Sequence, residues 1–374
     1  MAALDIEIPS DLLPRDGRFC VGPSVVRHEA IEALAAEADT YLGTSHRQDA
    51  VKDMVGRLRS GLHELFSLPD GWEIVLGNGG TTVFWDAATF GLIERRSQHL
   101  SYGEFSSKFA AAAAAAPHLE DPEIIVAEPP GAPSAVASDV DLYALTHNET
   151  STGVAVAPMR PAGTTAADAL VAVDATSAAG GLRWDPAQVD CYYFAPQKCL
   201  GSDGGLWLAA CSPAAVERIE RIAASGRWCP ASIDLGIALD NSRKNQTYNT
   251  PALVTVFLAV HQIEWFNANG GLEWAAGRSD RSAGIIYDWA EASDYATPFV
   301  TDPALRSHVV ATIDIDDAYS ADDIIAVCAA NGILDIGGYR KLGRNQLRVS
   351  LFPGVDPDDV AALTASVDHV VGRL

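Results

Sequence analysis

Four groups of residues in this chain have types and spacings suited to chemistry. The first centres on Lys198, just past the apolar run Tyr192-Tyr193-Phe194-Ala195 and followed by Gly201-Ser202-Asp203-Gly204-Gly205. Lysine is rarely buried, and desolvation lowers its pKa toward the range where a neutral amine attacks a carbonyl. A solvated loop lysine is the plainer alternative. The second is Asp174, which ends the run Val171-Ala172-Val173. A half-buried carboxylate needs a partner, and this one suits either a helix cap or an acceptor for a cationic ring nitrogen. The third is Gly77-Asn78-Gly79-Gly80-Thr81-Thr82. Glycines let a ligand approach the backbone, and a helix opening at Thr81 offers free N–H groups to a phosphate. Alone, the motif is explained by an ordinary strand-to-helix turn. It is neither a dinucleotide fingerprint, since Thr82 stands where a third glycine belongs, nor a P-loop, since no lysine follows. The order of the three favours chemistry: a phosphate-type turn, a strand-end Asp174, and Lys198 one strand later.

The fourth group is Ser45-His46-Arg47 together with Arg340, Arg344 and Arg348. The chain holds only 26 lysines and arginines, so arginines around the short turn Gly337-Gly338-Tyr339-Arg340 suggest a carboxylate or phosphate clamp. For Arg344 a solvated role suffices. Each of the four groups is expected to follow a strand or lie just beyond one, and ligands of open α/β sheets bind at the carboxyl ends of strands.

The elements that must position these residues can be read from periodicity. Helical spacing covers 27–41 and 51–66. Strand-like runs are 72–76, 123–127, 142–146, 170–174, 191–194 and 205–211. Their continuous apolar character suits a sheet buried on both faces, and the alternation with helices predicts an α/β unit with a mostly parallel sheet. The Ala-rich run 108–116 reads as a packed helix. After about residue 267 the texture changes to a smaller α+β unit: a long helix 272–292, a strand 309–315, a helix 321–331, a strand 346–352 and a final helix after Pro357.

Composition narrows the classes. The chain has 374 residues, 48% hydrophobic and 20% charged, which suits two globular domains. A formal charge of −23 argues against nucleic acid and against anionic membranes. The first residues lack a charged region followed by an apolar one, so no signal peptide is expected, and no apolar run is long enough to span a bilayer. The six cysteines are scattered and read as reduced core thiols, with no metal set among them. Asn148-Glu149-Thr150 matches a glycosylation sequon, idle without a secretory signal. A cytoplasmic enzyme or binding protein is the expectation.

These pieces resemble the fold-type-I, class V aminotransferases, which depend on pyridoxal 5′-phosphate. The resemblance is carried in family order by Phe19-Cys20-Val21-Gly22-Pro23-Ser24, Thr44-Ser45-His46-Arg47, Asn78-Gly79-Gly80-Thr81-Thr82, His147-Asn148-Glu149-Thr150-Ser151-Thr152-Gly153, Asp174-Ala175-Thr176-Ser177, Gln197-Lys198, Tyr248-Asn249-Thr250-Pro251 and Gly338-Tyr339-Arg340. It implies a large cofactor-binding domain over 20–267 with a mostly parallel, seven-stranded-type sheet. It also implies a small α+β domain over 268–374, with residues 1–19 packing near it. Lys198 would hold the cofactor as a Schiff base and shuttle the proton at the substrate Cα, while Asp174 would pair with the ring nitrogen. Thr150 would touch the phenolic side and Phe105 would stack on the ring. Thr81, Thr82 and Gln197 would bind the cofactor phosphate, joined by Asn249 and Thr250 of a neighbouring subunit in a homodimer with shared sites. His46, Arg47, Arg340 and Arg348 would hold the substrate's carboxylate and phosphate.

Within the family the resemblance points to the branch that makes phosphoserine. Its members use glutamate as donor and 3-phosphohydroxypyruvate as acceptor, and a related phosphorylated hydroxythreonine is the second substrate implied. Many members carry Trp at the position of Phe105 and His at that of Tyr339, and the Arg340–Arg348 spacing is longer than usual. The main rival is an alanine–glyoxylate or serine–pyruvate enzyme, whose substrates need no phosphate clamp. A cysteine desulfurase fits less well, because Gln197 rather than His precedes Lys198. A non-catalytic α/β binding protein is the rival from another class.

Overall fold

The computed structural model describes residues 6–374, so Met1–Asp5 of the N-terminal segment lie outside the described residues. Two helices come first, α1 (His28–Tyr41) and α2 (Asp49–Leu65). In α2, Val51, Met54, Val55, Leu58, Leu62 and Leu65 recur at three- and four-residue steps, and all are buried. Then come β1 (Glu73–Asn78), α3 (Thr81–Gly91), β2 (Ser97–Ser101), α4 (Glu104–Ala115), β3 (Glu123–Val126) and β4 (Leu142–Thr146). A short hairpin, β5 (Asn148–Glu149) and β6 (Val154–Ala155), leads to β7 (Leu170–Asp174), β8 (Cys191–Phe194) and β9 (Leu206–Cys211). Helices α5 (Pro213–Ala224), α6 (Leu235–Ser242) and α7 (Leu253–Ala268) follow.

Seven of these strands form one sheet in the order β1-β9-β8-β7-β4-β2-β3. Only β9 runs against its neighbours; β7 pairs in parallel with β4 and β8, and β2 with β4 and β3. The carboxyl ends of β1, β2, β4, β7 and β8 therefore share one edge. Strands buried on both faces explain the unbroken apolar runs. Val171, Val173, Tyr192 and Phe194 face a core with Leu58, Phe257 and Ile263 of α2 and α7. Ala172, Tyr193, Trp207 and Ala209 face the opposite core with Phe84, Phe109, Ile219 and Leu239 of α3 to α6. The edge strand β3 departs from the expectation of two buried faces. Its exposure alternates, leaving Ile124 and Val126 outward, because among the described residues no strand pairs with its outer side.

The rest of the chain is α8 (Gly271–Ala292), β10 (Ala296–Pro298), β11 (Val310–Ile315), α9 (Ala321–Ala330), β12 (Gln346–Ser350) and α10 (Pro357–Val371). The three strands make an antiparallel sheet. Its core holds Ala283, Ile286, Ile313, Ile324, Val349 and Val367, joined by Ile8 and Phe19 from the N-terminal segment. Ala275, near the start of α8, sits instead in the core of the large sheet. We therefore propose that α8 is the element across which the domains divide, consistent with a boundary near residue 267. Among the described residues no helix is long and apolar enough to cross a membrane, and all six cysteines are free thiols.

Candidate active site

A cavity of about 570 Å³ opens at the shared edge of the sheet, lined by Thr81, Thr82, Phe105, Thr150, Asp174, Gln197 and Lys198. The strand ends deliver these residues: Asp174 closes β7, Lys198 follows β8 by four residues, and Thr81 opens α3 three residues beyond β1, after Gly79 and Gly80. A more apolar cavity of about 640 Å³ lies behind β2 and β4. Its one charged lining residue, Arg160, is already engaged by the buried Asp190.

Lys198 is partly buried, and its amine donates to the Val21 carbonyl at 2.6 Å. Burial, with the nearby Arg348 charge acting in the same direction, brings that amine down to about 8. The N-terminal segment crosses the lysine closely. A Cβ on Gly22 would fall 1.8 Å from Lys198 Nζ, and Gly22 has φ +144°, so both space and conformation demand glycine there. Ser24 ties the segment down by donating its N–H to the Gln197 carbonyl at 2.7 Å.

Asp174 is almost wholly buried and followed by a turn rather than a helix, so it caps no helix. Its Oδ1 accepts from the Thr176 N–H at 2.9 Å and the Thr176 hydroxyl at 2.5 Å, and its Oδ2 from the Trp85 indole N–H at 3.0 Å. Burial still raises its pKa, and these hydrogen bonds pull the other way. The opposite wall is a short polar network. The Asn148 amide and Thr150 hydroxyl donate to Ser177 Oγ at 2.8 and 2.7 Å. Phe105, on the first turn of α4, faces Tyr339 with ring centroids 6.2 Å apart. Arg348 donates to the Thr150 carbonyl at 3.3 Å, and its guanidinium carbon lies 5.2 Å from the centre of the Tyr339 ring.

Other expected site residues lie elsewhere. His46 and Arg47 follow helix α1 in the loop before α2, which corrects the expectation that each group adjoins a strand. His46 Nδ1 is 3.1 Å from the Thr250 hydroxyl, and the Thr250 carbonyl accepts from the Asn78 amide at 2.9 Å. Asn249, Thr250 and Arg47 are exposed, and none of these four residues lines the Lys198 cavity. Arg340 is also exposed, and Arg344 pairs with Asp314 at 2.5 Å. Sequence reasoning missed Trp85. Its signal was available, because Trp85 lies four residues after Thr81 on the same face of α3.

The residues present fit pyridoxal phosphate on three counts. Helix α3 has no side-chain cap, so its first N–H groups are free for a phosphate. The buried Gln197 Oε1 and Asn148 Oδ1 have no hydrogen-bond partner among the described residues, and both residues line the cavity. Among the described residues the buried Asp174 carboxylate is held by the neutral donors Thr176 and Trp85, which leaves a ligand's cation room to pair with it.

An open α/β sheet that sets a buried amine and a buried carboxylate around one pocket, with a free helix N-terminus at its end, defines an enzyme working through a lysine. The model of the class-V aminotransferases matches residues 21–363, and the chain belongs to that family. It is 59% identical over 370 residues to a phosphoserine aminotransferase of a Nocardioides species, covering 99% of each chain. To a phosphoserine aminotransferase of Rhodococcus jostii it is 57% identical, covering 98% of each. The crystal structure of a phosphoserine aminotransferase from Cytophaga hutchinsonii superposes with a TM-score of 0.85 at 22% identity, covering 94% of this chain and 97% of that one, a likeness of fold.

Proposed function

We propose that this chain is a pyridoxal-phosphate-dependent transaminase that moves the amino group of glutamate to 3-phosphohydroxypyruvate, giving phosphoserine and 2-oxoglutarate. The observation that carries the chemistry is one pocket holding the shifted Lys198 amine, the buried Asp174 carboxylate and the free N-terminus of α3. The substrate reading is supported by relatives named phosphoserine aminotransferase, matched at 57–59% identity over nearly their whole length.

Bound pyridoxal phosphate supplies an electron sink for charge developing at the substrate Cα. The chain's residues hold and steer. Backbone groups of Thr81 and Thr82, with the Gln197 side chain, bind the phosphate. Asp174 keeps a proton, and so a positive charge, on the ring nitrogen. Phe105 covers one face, and Thr150 meets the phenolic side. Lys198, neutral above about pH 8, would hold the cofactor and would move the proton at the substrate Cα. Arg348 and Arg340 take the substrate's carboxylate and phosphate. His46, Arg47, Asn249 and Thr250 cluster outside their own chain's pocket, which supports a homodimer in which they serve the partner's pocket. The cytoplasm is the proposed location.

The test compares wild-type kcat/KM for 3-phosphohydroxypyruvate, glyoxylate and pyruvate with glutamate as donor. The phosphorylated acid should win; if either small keto acid wins, the enzyme belongs to the alanine–glyoxylate branch. Borohydride reduction of the yellow protein should label Lys198 covalently.

A further inference from the structure

We infer that Glu149 is a positioning residue that fixes the Phe105 face of the pocket against its Asn148–Thr150 wall before any ligand enters. The inference rests on the proposal that this pocket holds pyridoxal phosphate. The Glu149 side chain is fully buried, at 0% exposure. Its Oε2 accepts from the backbone N–H groups of Phe105 at 3.1 Å and Ser106 at 2.8 Å. Its Oε1 accepts from the Ser151 N–H at 3.2 Å and the Ser151 hydroxyl at 2.7 Å, and the same hydroxyl accepts the Glu104 N–H at 3.1 Å. Glu149 and Ser151 together thus satisfy the first three amides of α4.

That arrangement is unusual in its source. Helix α4 is preceded by Gly103, which has no side chain to cap it. A Cβ at Gly103 would lie 2.4 Å from Glu149 Cδ, so the glycine makes room for a carboxylate reaching in from another strand. Charge-assisted hydrogen bonds and the positive end of the helix stabilise that carboxylate where no side-chain cation does. Glu149 lies between two pocket residues, Asn148 and Thr150, both bonded to Ser177 Oγ. One carboxylate therefore joins the turn bearing Phe105 to the segment bearing the polar wall, and the gap between them is the slot for a flat ring.

A cap that only stabilised the fold would hold α4 without affecting how tightly a ring is gripped. The deciding measurements are amide hydrogen exchange on the wild-type chain with and without pyridoxal phosphate, and cofactor affinity of Glu149→Gln. In the wild-type apoprotein the Phe105 and Ser106 amides should already be protected, with little change when cofactor is added. In Glu149→Gln an amide N–H would face one pair of donors, and a lost bond to a charged acceptor corresponds to about ten- to a hundredfold. Cofactor should therefore bind at least about tenfold more weakly and show an altered visible circular dichroism. Adding Phe105→Ala to Glu149→Gln should then cost less than Phe105→Ala costs alone, because both act on the same face. Protection that appears only with cofactor, wild-type affinity in Glu149→Gln, or full additivity would each overturn the inference. Should Glu149→Gln fail to fold, Glu149→Asp, which keeps the charge but shortens the reach, takes its place in the affinity and circular-dichroism measurements. A wild-type chain that binds no pyridoxal phosphate counts against the functional reading, while apoprotein exchange still judges Glu149.

Discussion

The two halves of the proposed site are built differently. The cofactor half lies at the ends of buried strands, and each polar group is fixed by neighbours: Asp174 by Thr176 and Trp85, Thr150 and Asn148 by Ser177, Phe105 through Glu149. The substrate half consists of exposed cations, Arg47 and Arg340, with His46 held by one contact to Thr250; only Arg348 touches the pocket wall. Preorganisation is thus concentrated where the chemistry is shared by a whole family. Specificity rests on groups that a ligand or a second subunit must still gather. If the contrast is real, substitutions in the buried half should act on every substrate, and substitutions in the exposed half should act on phosphorylated ones.

The largest effect belongs to Lys198. Lys198→Ala should lower transamination by roughly three decades or more, since anchor and proton carrier are lost together. Folding should survive, and activity within tenfold of wild type would remove Lys198 from its role. The pH dependence follows from the depressed pKa. Below about 8 the amine is protonated and cannot attack; above it the neutral form dominates. Capture of pyridoxal phosphate by the apoprotein, followed by absorbance, should rise through about pH 8 and then level off. A midpoint near the ordinary lysine value of 10.5 would mean a solvated lysine.

Asp174→Asn comes next. Replacing the carboxylate by an amide forfeits the charge that favours a protonated ring nitrogen, at a cost of about ten- to a hundredfold in turnover. Cofactor should stay bound, because the phosphate end is untouched. Normal turnover with normal binding would show that Asp174 serves the fold alone.

Arg340→Ala probes the other half. One charge-assisted bond to a phosphate is worth about 1.5–3 kcal/mol, or one to two decades in kcat/KM for 3-phosphohydroxypyruvate. Unphosphorylated hydroxypyruvate, which lacks that contact, should change far less. Equal losses on both substrates would mean that Arg340 acts on the carboxylate or on the fold.

Much of this contrast was legible in the sequence, for a physical reason. Strands 142–146, 170–174 and 191–194 appear where their apolar runs place them, because burial on both faces writes a continuous signal. Strand β2, Ser97-Gln98-His99-Leu100-Ser101, gave no such signal, since its polar residues are buried with hydrogen-bonding partners. His99 meets Ser97 at 2.9 Å, and Gln98 bonds to Glu123 and Ser138. The chemistry around Lys198 and Asp174 was readable because charge at the end of an apolar strand is costly. The support behind it was harder to read: the place of Trp85 on the Thr81 face of α3 was visible, but its bond to Asp174, 89 residues away, and the bonds of Glu149 to amides 43–44 residues away were not.

Trp85 offers the smallest and sharpest effect. Its indole N–H is the sole donor to Asp174 Oδ2 among the described residues, at 3.0 Å, and the residue is 4% exposed. Trp85→Phe keeps an aromatic ring in that space and deletes one hydrogen bond. Thr176 would still hold Oδ1, and a cationic ring nitrogen would supply much of what the indole gave. The loss should therefore fall below that of Asp174→Asn, at about three- to tenfold in kcat, for phosphorylated and unphosphorylated acceptors alike. Removing a donor to the charged form also lets burial raise the Asp174 pKa further, so activity should begin to fall at a higher pH on the acid side. An unchanged acid limb would show that Thr176 alone sets Asp174. A loss as large as that of Asp174→Asn, with the same acid limb, would mean that Trp85 works by packing on the ring and not through the carboxylate.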